Sequence, residues 1–246
     1  MKKFIYAFVI FLMISSCKNG KKHDAQSIVD NAIEVAGGKI FQASNISFEF
    51  RGKLYKAIRN EGIFQFERQF EDSLGQIKDI LSNDGFKRVV NDKPYVVHDS
   101  MAAKYSRSVN SVHYFSVLPY GLNDAAVNKA LIGETSISDK AYYKIKVYFD
   151  EVGGGDDFED VFVYWIGKDD FKVDYIAYSY MDNETEFGLR FREAYNERYV
   201  GGLRFVDYKN YKPEDNLTNV INLDSLFIAK KLKLLSKIEN ENIEVN

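Results

Sequence analysis

The sequence is poor in the residues that staple a chain or coordinate metals. Cysteine occurs once in 246 residues, at Cys17, so no disulfide can form within the chain and the fold must rest on its core. Histidine occurs three times, at His23, His98 and His113, with no His-x-x-x-His or Cys-x-x-Cys spacing. A zinc site would need ligands gathered from scattered loops, so the reading is no metal and no cofactor. Proline is also scarce, at 3 residues, which argues against a disordered composition. Basic charge is not in excess: 33 Lys and Arg face 36 Asp and Glu, a net of −3. No basic patch stands out, so nucleic acid is not an expected partner. No apolar run reaches the roughly 20 residues that a bilayer core demands. Catalytic signatures are missing as well. There is no Gly-x-Ser-x-Gly elbow. Gly153-Gly154-Gly155 is not followed by the Gly-Lys-Ser/Thr of a P-loop. The acidic residues around it (Asp150, Glu151, Asp156, Asp157, Glu159, Asp160) do not follow the EF-hand pattern and read as a solvated hairpin loop. The expectation is therefore not an enzyme.

What is present begins at the N-terminus. Lys2 and Lys3 precede an apolar run from Phe4 to Ile14, whose eleven residues would cover about 16 Å as helix. That is the length of a signal-peptide core. Ile14-Ser15-Ser16-Cys17 follows and resembles the lipobox of bacterial lipoproteins, in which the cysteine thiol receives diacylglycerol. The alternative is an ordinary signal peptide cleaved near Ser16 that leaves a free thiol. Expected segments are a lipoprotein signal peptide over 1–16, an acylated Cys17 with a polar tether over 17–24, and one domain over 25–246. The mature chain would have 246 − 16 = 230 residues, enough to bury a substantial core. Acylation makes the membrane itself a partner. Lys18 after Cys17 fits the general rule for outer-membrane sorting. The tether has no early acidic run of the kind that resembles a surface-export signal, so the periplasmic face is favoured and the cell surface stays open.

Beyond the tether, Asp24 or Ser27 can cap a helix over Ala25–Ala36, which Gly37-Gly38 stops. Apolar residues then alternate at Ile46, Phe48 and Phe50, and again over 62–70, 77–81, 86–90 and 95–97, with Asn83-Asp84-Gly85 as a hairpin turn. Met101, Ala102, Tyr105, Val109, Val112 and Phe115 have helical spacing. Asn123 or Asp124 is expected to cap a short helix through Ala130. A second block of alternation runs from Ala141, with strands over 161–166, 173–180, 189–196 and 202–209. A short helix is expected around 223–229. Residues 232–243 read as a last strand, although Lys-Leu-Lys-Leu-Leu also suits a helix. The sum is α+β: a strongly curved antiparallel sheet of about ten strands, an incomplete barrel, with helices packed on its concave side.

Several stretches together carry a resemblance: the lipobox, Ala36-Gly37-Gly38, Asn83-Asp84-Gly85-Phe86, Leu118-Pro119-Tyr120-Gly121-Leu122-Asn123-Asp124 and Phe191-Arg192-Glu193-Ala194-Tyr195-Asn196. They resemble a family of Bacteroidota lipoproteins without assigned function, over nearly the whole mature chain. In architecture that family is similar to the LolA/LolB lipoprotein-carrier fold. The resemblance implies a half-barrel and a lipid or lipoprotein acyl chain as ligand. It brings no catalytic residue. Some relatives carry a deoxyribose-phosphate aldolase label, which belongs to a parallel (β/α)₈ barrel and conflicts with antiparallel meanders.

Aromatic residues make up 15% of the chain. Phe48, Phe50, Phe64, Phe66, Tyr143, Trp165 and Tyr178 recur on strands and are candidates to line a cavity for an acyl chain. Arg192 is a candidate for a polar head. Aromatics also favour strands for their own sake, so a filled core stays open as an alternative. Arg190, Arg192 and Arg204 equally suit cross-strand ion pairs. Two functions follow: binding of a lipid or other hydrophobic ligand, or a structural module that contacts another envelope protein. A hydrolase or aldolase ranks behind both.

Overall fold

The computed structural model describes residues 23–155, 158–182 and 186–246. Cys17 and the addressing segment lie outside them. Helix α1 spans Ala25–Ala36. Its start is fixed locally: Asp24 Oδ1 accepts from the Ser27 amide at 2.8 Å, and Ser27 Oγ accepts from the Asp24 amide at 3.1 Å. Its end is Gly37, at φ +132°, where a Cβ would also meet the Leu203 side chain at 2.5 Å. A 3₁₀ turn over Gly38–Ala43 leads into the first sheet.

That sheet begins as a meander: β1 Asn45–Phe50, β2 Lys53–Asn60, β3 Ile63–Asp72, β4 Gly75–Ser82, β5 Gly85–Val90 and β6 Lys93–Tyr95. Helix α2 (Asp99–Ser116) crosses over it. The second sheet follows: β7 Val127–Ile137, β8 Lys140–Phe149, β9 Phe162–Gly167, β10 Val173–Asp182, β11 Glu186–Val200 and β12 Leu203–Pro213. Helix α3 (Leu223–Ile228) precedes β13 Leu232–Ile238 and β14 Glu241–Val245. The strand orders are β14-β1-β2-β3-β4-β5-β6 and β13-β12-β11-β10-β9-β8-β7, seven in each sheet. Every described strand pair is antiparallel. The fold is thus an open, curved antiparallel α+β structure, with fourteen described strands where the sequence suggests about ten. A parallel (β/α)₈ barrel is ruled out.

Two expectations are corrected. Residues 123–126 form turns, not a helix start, and Val127 onward is β7 on the edge of sheet two. Asn-Asp-Ala-Ala-Val has local helix signals, but pairing with β8 and burial of Val127 and Leu131 against the core override them. The tail strand is two strands in two different sheets. Glu239 and Asn240 make the crossing. The Asn240 amide donates to Asp207 Oδ1 at 3.0 Å, and Arg198 Nη2 donates to the same oxygen at 2.9 Å. The buried Asp207 carboxylate thus bridges the seam between the sheets, beside Leu203 and Phe205 of β12, which pack with Ile46 and Phe48 of β1.

The sheets are covered differently. Sheet two has apolar residues on both faces. In β9 all six residues are buried. Phe162, Tyr164 and Ile166 face Ile28, Val29 and Ala32 of α1, while Val163 and Trp165 join the cluster that Leu223 of α3 closes. Sheet one buries one face. Ile46, Phe48, Tyr55 and Ala57 point inward, and Lys56 and Ile58 between them are exposed.

Candidate functional site

Helix α2 is the element that makes the site, because its two sides meet different surroundings. On the side of sheet one it is anchored by polar contacts. Arg68, Asp79 and Arg88 stand directly opposite one another on β3, β4 and β5. All three are buried, and Asp79 accepts from both guanidinium groups at 2.6 Å. Arg68 Nη1 also donates to Ser108 Oγ of α2 at 2.7 Å, and Arg88 lies 3.8 Å over the Tyr105 ring. His113 completes the attachment. Its Nε2 lies 3.1 Å from the Glu67 carbonyl, and its ring sits among Phe48, Tyr55 and Phe66. Burial drives the imidazole pKa down to about 3, so it is neutral; Nε2–H donates, and Nδ1 is buried without a partner among the described residues.

The other side of α2, through Arg107, Asn110, Ser111, Tyr114 and Phe115, faces a cleft of about 1080 Å³. The spacing i, i+3, i+4, i+7 puts these residues on one helix face. The opposite wall is sheet two: Phe162 of β9, Tyr178 and Tyr180 of β10, Arg190 and Arg192 of β11, Tyr208 and Asn210 of β12, and Ile238 of β13. The turn at 121–127 and the loop at 152–155 form the rim, and Phe50, Arg51 and Leu81 close the side of sheet one. The floor is aromatic. Phe115, Phe162 and Tyr178 are in mutual ring contact at 5.2–6.1 Å. Tyr114 donates to or accepts from Tyr164 at 3.1 Å behind them. Burial raises the phenols of Tyr114 and Tyr208 to about 12, so both keep their protons.

Arg192 stands out in this wall. It is 8% exposed. Its guanidinium lies 3.7 Å from the Phe115 ring centre, and Nη2 donates to Tyr178 Oη at 2.7 Å. Among the described residues no carboxylate pairs with it, and its Nε–H has no partner. Directly across on β12, Asn210 has a second buried atom without a partner, Oδ1, while its Nδ2 donates to Ser236 Oγ at 3.4 Å. Arg204, by contrast, is fully engaged, with Glu197, Asp174 and the Val173 carbonyl. Arg59 on sheet one is also buried with an unpartnered Nη1, but it is stacked on Phe66 and Tyr120 and does not line the cleft. Among the described residues, Asp124 and Asp160 are the acidic side chains of the lining, against the arginines at 51, 107, 190 and 192. Burial raises the Asp124 carboxyl.

Of the residues singled out from sequence, Phe50, Tyr178 and Arg192 come together in the cleft. Phe48 and Phe66 pack behind α2 around His113, with Phe64 beside Phe66 at 4.8 Å. Tyr143 packs with Phe171 and His23 near the start of α1. Trp165 lies on the other face of sheet two, where Nε1 donates to Asp224 at 3.2 Å. Phe115, Tyr208 and Asn210 carry the site but escaped the sequence reading. His98 caps α2, far along the helix from His113. Among the described residues no helix is long and apolar enough to cross a membrane.

A search of curated proteins finds no match to this sequence. Among solved structures, a LolA superfamily protein from Nitrosomonas europaea is similar, at 11% identity over 91% of this chain and 92% of that one, with a TM-score of 0.48. A DUF1329 family protein from Desulfovibrio piger shares 10% identity over 89% and 92% of the two chains, with a TM-score of 0.41. A domain described as an outer membrane lipoprotein-sorting protein from Vibrio parahaemolyticus shares 7% over 89% and 93%, with a TM-score of 0.39. The sequence itself gives the firmer assignment: residues 2–240 match the family of unknown function DUF6503, and the chain belongs to that family.

Proposed function

We propose that this protein is an envelope lipoprotein, anchored to the outer membrane through acylated Cys17 on the periplasmic side, whose cleft binds a lipid or other hydrophobic ligand. The role is binding and not catalysis. The organisation that goes with it is a signal peptide over 1–16, a tether over 17–24 and one binding domain over 25–246. The observation that carries the reading is the cleft between α2 and sheet two. At about 1080 Å³ it lies just above the usual range of ligand sites, which run to roughly 1,000 Å³. Its floor is Phe115, Phe162, Tyr178 and Tyr208, and polar groups from α2, the rim and sheet two surround that floor, with Arg190, Arg192 and Asn210 together on one wall. An acyl chain laid along such a floor gains about 0.8 kcal/mol per CH₂ buried.

The test is to express the full chain with its leader in a bacterial envelope, purify it, extract it with organic solvent and run mass spectrometry on the extract. A variant carrying Ala126→Trp, which fills the cleft from its rim, serves as the blank. A lipid at one equivalent, present in the wild type and depleted in the variant, is the expected result. An extract with no lipid beyond that of the blank, repeated after incubation with envelope lipids, would contradict the proposal. Partner pull-downs for the interaction-module reading would then follow.

A further inference from the structure

We infer that the cleft selects a ligand with a carboxylate head, bound by Arg192 with Asn210 and Tyr178, so that the ligand is an amphiphile of the fatty-acid class rather than a neutral lipid. This rests on the proposed binding role and specifies its ligand. A guanidinium that is 8% exposed and has no carboxylate partner among the described residues is unusual, because burying an unpaired charge is costly. Ring contact with Phe115 offsets part of that cost but leaves the Nε–H aimed at nothing. Its neighbours are arranged for an anion. Tyr178 Oη accepts from Arg192, so its own proton is free to donate into the cleft. The two ends of the Asn210 amide are interchangeable by a flip. Ser236 Oγ would then donate to Oδ1, and Nδ2 would point to where the unpartnered oxygen now lies. Arg192 and Asn210 stand opposite each other on neighbouring strands, Tyr178 bonds the same guanidinium, and all three side chains border one part of the cleft wall. A carboxylate, which only accepts and has two oxygens in a plane, matches an arginine edge plus a second donor. The surrounding charge agrees: among the described residues four arginines and two aspartates line the cleft, a formal 4 − 2 = +2, in a chain whose net charge is −3. The apolar tail would lie on Phe115, Phe162 and Tyr208.

The test measures binding of dodecanoate, dodecanol and dodecyl phosphate to the full chain in nanodiscs, with empty nanodiscs as the blank. Dodecanoate is expected to bind at least tenfold more tightly than dodecanol. Arg192→Met should abolish that preference. Arg59→Met, which removes a buried guanidinium outside the cleft, should leave the preference intact. A measurement on the wild type alone serves if a variant fails to fold: dodecanoate affinity should fall as the acid protonates below about pH 5, while dodecanol affinity stays flat. Equal affinity of acid and alcohol in the wild type would overturn the head-group assignment and leave the binding role standing. Tighter binding of dodecyl phosphate would overturn the carboxylate in favour of a phosphate head. If none of the three binds, the binding role itself falls.

Discussion

The two sides of α2 bury arginines in opposite ways. Toward sheet one, Arg68 and Arg88 share the buried carboxylate of Asp79, and the donors reach Ser108 and Tyr105 of the helix. Toward sheet two, Arg192 has a phenol and a ring but no counter-ion among the described residues. The first arrangement is satisfied from within the protein and serves to hold the helix. The second has no counter-ion among the described residues, and it faces the cleft. Burial alone does not separate structure from site; the state of the hydrogen-bond partners does.

That contrast breaks most severely at Asp79. Asp79→Ala leaves two buried guanidinium groups without their shared anion and should cost about 3–5 kcal/mol of unfolding free energy, measured by denaturant titration. A loss under about 1 kcal/mol would mean the triad is not what fixes α2. The next effect comes with acid. Unfolded His113 titrates near 6.5 and the folded residue near 3, so between these values the unfolded state holds one more proton. Stability from this residue is full above pH 6.5, is lost as pH falls toward 3, and is down by about 2 kcal/mol at pH 5. The difference between wild type and His113→Phe, followed by denaturation from pH 7 to 4, should shrink along that slope. A difference independent of pH would contradict it. The arginine pair sets the two sides against each other. Arg68→Met removes a buried charge-assisted bond and should cost about 1.5–3 kcal/mol. Arg192→Met replaces an uncompensated buried charge by an apolar chain of similar length and should change stability by less than about 1 kcal/mol, in either direction. Equal costs at the two positions would erase the distinction.

How much of this was legible in the sequence depends on how local each feature is. Helix α1 was readable to the residue because Asp24, Ser27 and Gly37 fix its ends within a few positions. The hairpin at Asn83-Asp84-Gly85 was readable for the same reason, with Gly85 at φ +99°. Strand β7 was not, since its partner β8 decides it and the local residues favour a helix. Nor was the division of the tail between two sheets, which depends on Asp207 far back in the chain. The site shows the same limit. Leu189 and Phe191 alternate with Arg190 and Arg192, which reads as a strand with an apolar face and a solvent face. The apolar face is indeed packed, against Trp165 and Phe227. The polar face is also roofed, by Phe115 of a helix some 80 residues earlier in the chain, and that turns Arg192 from a surface cation into a buried one. Alternation reports which side chains share a face; only the topology tells what covers it.

Arg192 is the arginine that a ligand would complete; Arg68 and Arg88 are paired without one. The most direct measurement is unfolding of the full chain with and without dodecanoate at about 100 times its dissociation constant, in the wild type and in Arg192→Met. The ligand should stabilise the wild type by about 2.7 kcal/mol and the variant, whose affinity is at least tenfold lower, by no more than about 1.4 kcal/mol at the same concentration. Equal stabilisation of both proteins would contradict it.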